Sequence, residues 1–437
     1  MSRIIIKNLG PVSYFEKQVD DRLMILIGEQ ASGKSTIAKT VFFCKSISEE
    51  LKKFLMDSNN LVNETKGNSL LTNFRKKLRT KFMEYFGTTK HMEPFLIKYF
   101  FDNEEYISIE LKNGYANILF SEILRKQCQN LINEIKDYYY LQEKNRLMQN
   151  IDLNLWAVQR EELAKMIDME VNKIFCQPYT SIFIPAGRSM LSTNSEFFHT
   201  LTPNKYDILM NEFIERIMIL QKQYSQRIEE IVRDKKKMSS ENIDFRSVNK
   251  ATKLVKSILK GEYVNDKNGE RIYYDENRFV KLIQASSGQQ ECLWIVLLIF
   301  SVILNQQKVY LVIEEPEAHL FPTAQKEILE LITLMINATG SSVIITTHSP
   351  YILTAENLLM YSSFVENDRE SEIDIVPTSF RLSDQDVSAY LLKNHDVIDI
   401  MDKENHMIDA SRIDMVSEEL NIAIDKLIEM ETKDGLQ

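Results

Sequence analysis

The residues with the most definite chemistry are Gly28, Gln30, Ser32, Gly33, Lys34, Ser35 and Thr36, in the stretch GEQASGKST at 28–36. Gly28, Gly33, Lys34 and Ser35 fit a phosphate loop. There, backbone N–H groups and a helix N-terminus cradle phosphates, a lysine adds a point charge, and a hydroxyl joins the Mg²⁺ shell. The flanks suit this reading, because the apolar run Leu23 to Ile27 precedes the loop and a helical pattern starts at Thr36. A Gly/Ser turn that merely happened to carry a lysine would lack this strand-loop-helix setting. Far downstream, the apolar run Val309 to Ile313 ends in Glu314 and Glu315. Adjacent carboxylates at a strand end can divide the work, with Glu314 and Ser35 on the metal and Glu315 taking a proton from the attacking water. Alone, the pair reads as a charged turn after a core strand; with the phosphate loop, it reads as ATP hydrolysis.

Two further pieces bear on the same chemistry. Ser286, Ser287, Gly288, Gln289, Gln290 and Glu291 stand just before the apolar run Cys292 to Leu304. Small hydroxyl residues and a glycine at a helix start make an anion-binding N-terminus. One chain already has its phosphate cradle, so a second suits the ATP of another subunit, although the bare motif also fits an ordinary helix cap. The β-branched stretch Val343 to Ile345 leads to Thr346, Thr347 and His348. A histidine at a strand end near a γ-phosphate can orient water or sense the phosphate, whereas a lone histidine is more often structural.

At these residues the chain resembles the ABC-type ATPases of the branch that includes structural-maintenance-of-chromosomes heads, RecF-like repair proteins and the OLD (overcoming lysogenization defect) family. The resemblance implies an α/β fold, an ABC-type P-loop NTPase head with a mixed central sheet and helical insertions. It makes 28–36 the Walker A loop, Ser286 to Glu291 the ABC signature and Glu314 with Glu315 the Walker B strand end plus catalytic base. Glu317 to Leu320 fall in the D-loop region, and His348 is the switch histidine. It further implies homo-oligomers, dimeric or larger, in which two heads sandwich two ATP molecules and Ser287 and Gly288 of one head face the nucleotide of the other. Two departures stand out: Glu314 replaces the usual aspartate, as OLD-like members also tolerate, and Phe321 stands where many relatives have histidine before proline. The stretch SIFIPAGRSM resembles an OLD-like strand followed by Pro-Ala-x-Arg, which puts Arg188 near the nucleotide or head interface; an arginine paired with a core-edge carboxylate is the competing reading. For the Mg²⁺-binding glutamine of ABC ATPases, Gln177 is a weak candidate.

The elements that must position these residues emerge from the rest of the chain. At 437 residues and 44% apolar composition, it can hold two to three domains with a sizeable core. A net charge of −10 argues against a wholesale polyanion binder. Four cysteines without CxxC spacing suggest reduced thiols, no zinc site and a cytoplasmic protein. The longest apolar run is short for a membrane span. The expected organisation is an N-terminal half of the ATPase core at 1–55, then a mainly helical insertion with a hairpin at 56–175, and a core strand at 176–202. A helical lobe and hairpin at 203–280 would follow, then the C-terminal half of the core at 281–380 and a helical tail at 381–437. Within the insertion, Arg75, Lys76, Lys77, Arg79 and Lys81 interleave with Phe74, Phe82 and Tyr85, a pattern that can contact DNA phosphates but more commonly marks a solvated helix face. In the tail, Asp396, Asp399 and Asp402 could share a helix face opposite Val397, Ile400 and Met401, and read more simply as solvated carboxylates than as a nuclease metal site.

Two function classes follow. One is a nucleotide-driven sensor and scaffold resembling ATPase subunits of Septu-like and PARIS-like anti-phage systems, which controls a separate effector subunit such as a nuclease encoded nearby. The other is a RecF- or SMC-like ATPase that clamps DNA. A transporter subunit is a weaker third, since the chain carries inserted lobes and no expected membrane segment. Every one of these needs the phosphate loop, so Lys34→Ala should weaken ATP binding at least tenfold, or about 1.4 kcal/mol; undiminished affinity by calorimetry would contradict the loop assignment.

Overall fold

The computed structural model describes residues 2–62, 69–146, 153–194, 206–238, 243–367, 375–409 and 421–427. In chain order, β1 (Arg3–Leu9), β2 (Val12–Gln18) and β3 (Leu23–Gly28) lead into α1 (Lys34–Met56). Next come α2 (Ser58–Val62), α3 (Leu70–Phe86), β4 (Leu96–Phe100), β5 (Tyr106–Lys112), β6 (Tyr115–Phe120), α4 (Glu122–Arg146) and α5 (Leu153–Phe175). After β7 (Thr180–Ile184) and α6 (Ser189–Asn194) stand α7 (Ile208–Gln223), α8 (Ile228–Met238) and α9 (Phe245–Leu259). The strands β8 (Glu262–Asp266), β9 (Gly269–Tyr273) and β10 (Phe279–Lys281) precede α10 (Ser287–Leu304). Then β11 (Val309–Glu314), α11 (Pro322–Thr339), β12 (Ser342–Thr347) and α12 (Pro350–Asn367) alternate, before β13 (Val387–Lys393), β14 (Asp396–Asp399), β15 (Met401–Asp402) and β16 (Met407–Ile408).

The central sheet has the order β14-β13-β3-β12-β11-β7. From β13 to β7 the strands run parallel, and only β14 is antiparallel to its neighbour. A parallel sheet is covered on both faces, which is why its strands read as continuous apolar runs. Leu23 to Ile27 and all of β11 are buried. Along β3 the side chains alternate between two cores: Leu23, Ile25 and Ile27 pack with residues of α10 and α11, while Met24 and Leu26 pack with α1 and the second sheet. Helix α10 is long and apolar enough to cross a bilayer, but its residues, the fully buried Trp294 among them, lie inside the first core. The α/β class and mixed central sheet with helical additions match the expectation.

Two expectations about organisation are corrected. The stretch 56–175 is not a self-contained insertion, because β4 to β6 extend the N-terminal hairpin into one antiparallel sheet, β2-β1-β4-β5-β6. Its hairpin turn is the expected one, with Asn113 and Gly114 both at positive φ (54° and 77°), as a two-residue type I′ turn requires. A lone hairpin is marginal in water, and joining β1 through β4 gives it a buried face. The tail is the second correction. Residues 387–409, expected helical, form strands, and β13 pairs in parallel with β3 from Val387↔Leu23 to Leu392↔Gly28. Val397, Ile400 and Met401 happen to recur at helical spacing, and the strand pairing that decides the matter is long-range. Asp396 and Asp399 lie on β14. Asp399 faces Lys17, and Asp402 caps a turn by accepting from the Glu404 and Asn405 N–H groups. The remainder of the tail lies outside the described residues apart from a helical stretch at 421–427.

Helix α12 carries one unusual residue. Glu356 is fully buried in it, neither carboxyl oxygen has a hydrogen-bond partner among the described residues, and burial pushes its pKa up to about 8. In the unfolded chain the group ionises near ~4.3, so between that pH and about 8 only the folded state holds the proton. Stability should therefore fall as pH rises through this window, by up to about 1.4 kcal/mol per unit. Glu356→Gln should flatten the slope and stabilise the protein at pH 8 relative to pH 5; urea melts at the two pH values giving an unchanged slope would contradict this.

Candidate functional site

The register of the central sheet brings the candidate residues to one edge. Ile27 is level with Thr347, Glu314 with Thr346, and Ile313 with Ile184. The loop after β3, the carboxylates after β11, His348 after β12 and the Pro185–Arg188 turn after β7 all leave the sheet at its carboxyl end. That edge is where open parallel α/β sheets hold ligands.

Gly28 opens the loop under close constraint, since a Cβ there would stand 2.2 Å from the carbonyl oxygen of Leu392 on β13. The Lys34 ammonium is buried and donates to the carbonyls of Gly28 (2.9 Å) and Glu29 (2.7 Å). Burial lowers its pKa, and the charges of Glu315 and Glu317 oppose that shift. An ammonium held over a loop whose helix starts at Gly33 is a fitting partner for phosphate oxygens. Ser32 Oγ is buried without a hydrogen-bond partner among the described residues, Gln30 and Ser35 are exposed, and Thr36 is half-buried beside them.

The carboxylates differ in setting. Glu314 is buried; its Oε2 accepts from the Ala186 N–H at 3.3 Å, and its Oε1 has no partner among the described residues. A buried, unsatisfied carboxylate oxygen costs free energy unless a cation or donor meets it. Together with the exposed Ser35 hydroxyl, it fits Mg²⁺ bound with a triphosphate. Glu315 is partly exposed, with Oε1 3.6 Å from His348 Nε2. Its backbone sits at φ 46°, a strained conformation for a residue with a side chain. The Glu315 N–H donates to the Thr346 carbonyl at 2.8 Å, fixing this turn to β12. Glu317 braces the histidine: its Oε1 accepts from Thr347 Oγ1 (2.6 Å) and from the His348 N–H (2.8 Å).

Arg188 is the buried hub behind these groups. Its Nη1 donates to the carbonyls of Pro185 and Glu314 at 2.6 Å each, its Nη2 to the Glu315 carbonyl at 2.8 Å, and its Nε to the Glu291 carbonyl at 3.1 Å. The Glu291 carboxylate in turn accepts from the N–H groups of Arg188 (3.0 Å) and Ser189 (2.9 Å). Of the two readings of this arginine, pairing with a core-edge carboxylate describes its contacts.

The signature residues divide into two sets. Ser286 caps α10: its hydroxyl accepts from the Gln289 N–H, and Gln289 Oε1 accepts the Ser286 N–H at 3.1 Å. Gln289 Nε2 also donates to the Leu259 carbonyl at 2.7 Å. Gln289 is thus turned inward, which corrects its expected place among the nucleotide contacts. Ser286 and Ser287 are exposed, and Gly288 lies against the D-loop region, where a Cβ would come within 2.7 Å of the His319 carbonyl oxygen.

Gln177 is also corrected. Gln177 precedes β7, whose first residue Thr180 is level with Val309 at the start of β11. It therefore lies at the opposite end of the sheet, buried beside Ser48 and Tyr99. In the basic cluster, Arg75 donates to the Ile118 carbonyl, Lys81 pairs with Glu50 and Glu212, and Phe74, Phe82 and Tyr85 are buried, while Lys76, Lys77 and Arg79 are exposed, as on a solvated helix face. Sequence reasoning missed the Glu317 brace and the identity of Glu291 as the carboxylate paired with Arg188. Glu291 stood inside a quoted motif, but nothing local tied it to a residue about a hundred positions away.

A family described as "AAA ATPase domain" matches residues 1–353. No curated protein matches the chain. Solved structures that align with it include an Smc head bound to the C-winged helix domain of ScpA, at 10% identity, with 93% of this chain and 99% of that chain covered and a TM-score of 0.43. Another is an SMC head domain from Thermotoga maritima, at 10% identity, 91% and 97% coverage and a TM-score of 0.35. A third is an Smc head with an extended coiled coil bound to the C-terminal domain of ScpA derived from Pyrococcus furiosus, at 10% identity, 96% and 99% coverage and a TM-score of 0.39.

Removing the Arg188 side chain would leave the Glu291 carboxylate buried and several carbonyls unpaired. Arg188→Ala should cost about 3–5 kcal/mol of stability in urea unfolding; a loss below about 1 kcal/mol would show that the hub does not hold the site together.

Proposed function

The chain belongs to the AAA ATPase domain family, and we propose that it binds ATP with Mg²⁺, hydrolyses it, and uses nucleotide-dependent association of two heads as a switch. The observation that carries this reading is the convergence of the phosphate loop, Glu314, Glu315 and His348 at one sheet edge. In the proposed reaction the loop N–H groups and Lys34 hold the phosphates, and Glu315 takes the proton of the attacking water. His348, 3.6 Å from Glu315 and fixed through Glu317, orients that water beside the γ-phosphate. Ser35 and Glu314 would hold Mg²⁺, which when bound would supply positive charge against the negative charge developing on the phosphates.

The exposed Ser287 and the Gly288 backbone at the start of α10 suit the ATP of a second copy, so that each nucleotide is enclosed between two chains. Gly288 touches the D-loop turn, and the Arg188–Glu291 pair joins α10 to Glu315, so closure at the signature reaches the catalytic carboxylate within the same chain. The biological setting we favour is a sensor and scaffold subunit of an anti-phage defence complex that releases or restrains a separate effector. That part rests on the resemblance of the motif set to Septu-like and PARIS-like ATPases. For the alternative of a DNA-clamping head, Lys76, Lys77 and Arg79 on α3 are exposed, whereas Lys81 is paired with Glu50 and Glu212 and the neighbouring aromatics are buried.

Glu315→Gln should retain ATP binding while turnover falls at least a hundredfold, about 2.7 kcal/mol in barrier. Phosphate release measured beside equilibrium ATP binding checks this, and hydrolysis at the unmodified rate would remove Glu315 from the role of base.

A further inference from the structure

Strand β3 has two neighbours in the central sheet, β12 and β13. On the proposed function, Glu315 and His348, on the β11 and β12 side, stand where the γ-phosphate would lie. A triphosphate laid across the loop then directs its nucleoside to the other side, toward the end of β13. The surroundings of the loop there are specific. At the Gly33 helix start, the side chains of Pro11 and Leu392 lie 3.4 and 3.7 Å from where a Cβ would stand. A Cβ on Gly10 would stand 3.9 Å from the Thr36 hydroxyl. The β1–β2 turn and the end of β13 thus form one wall beside the phosphate loop.

The turn between β13 and β14 completes that wall. Asn394 and His395 take positive φ (52° and 69°), and both are exposed. Two hydrogen bonds lock the turn to the N-terminal hairpin: His395 Nδ1 lies 2.8 Å from the Pro11 carbonyl oxygen, and Ser13 Oγ donates to the His395 carbonyl at 2.7 Å. A carbonyl oxygen only accepts, so Nδ1 carries the hydrogen. In the neutral ring Nε2 is then left as an acceptor. An acceptor that meets the base at its 6-position favours an amine there over a carbonyl. Adenine presents its exocyclic amine; guanine presents a carbonyl oxygen at the corresponding position, setting two acceptors against each other. Given that the loop binds a nucleoside triphosphate, as proposed above, we infer that His395 selects adenine over guanine nucleotides by accepting a hydrogen bond from the N6 amine.

The test is equilibrium binding of the slowly hydrolysed analogues AMP-PNP and GMP-PNP with Mg²⁺ to the full chain, followed by calorimetry. The wild-type protein should bind the adenine analogue at least about tenfold more tightly, since a site built for a hydrogen bond penalises the ligand that cannot make it. His395→Ala should bring the ratio close to one through loss of AMP-PNP affinity. A merely structural role in holding Pro11 would weaken both analogues together and leave the ratio intact, which would overturn the inference. So would equal affinities in the wild-type protein, with the phosphate-loop reading untouched. Binding of neither analogue would remove that reading and this inference with it.

Discussion

The buried Arg188 guanidinium is the constraint on which the site depends. A charge this deep in the protein is tolerated only when its donors are met, and here they are met by four backbone carbonyls and the Glu291 carboxylate. Those partners come from the ends of β7 and β11 and from the first turns of α10. One side chain thereby fixes the backbone on both sides of Glu314 and Glu315 and ties them to the helix that carries the signature. The positive φ at Glu315 is held from two directions, by Arg188 and by the Thr346 carbonyl. Without that bracing, a residue with a side chain would relax out of the left-handed region.

Much of the site was legible because its parts are local. A phosphate loop, a strand ending in two carboxylates and a capped apolar helix each occupy one short stretch, and each carries its own periodicity and turn chemistry. The hairpin at Asn113 and Gly114 was legible for the same reason. Long-range pairings were not. Strands β4 to β6 looked like part of an insertion because nothing in their sequence names β1 as the partner. Strand β13 was hidden among residues whose spacing also fits a helix, although it turns out to flank the phosphate loop itself. Gln177 failed by register: its chemistry was suitable, but its strand begins where the site's strands do and carries it to the far edge. In the basic cluster, the period of α3 that buries Phe74 and Phe82 was visible, yet the pairing of Lys81 with Glu50 and Glu212 depends on α1 and α7.

On the proposed function, these contacts would let hydrolysis and assembly share parts. Glu317 connects the D-loop region to His348, Gly288 rests on the same turn, and Glu291 couples α10 to the carboxylate strand. A nucleotide enclosed between two copies would press on the signature of one and, through these bonds, on the catalytic residues of the same chain.

The measurement that tests this account most directly is the native mass of Glu315→Gln protein by light scattering, with and without ATP and Mg²⁺. The account predicts a shift to at least twice the nucleotide-free mass, lost again when Ser287→Arg blocks the exposed start of α10. A mass that is indifferent to ATP, while ATP is bound, would contradict nucleotide-driven association of heads.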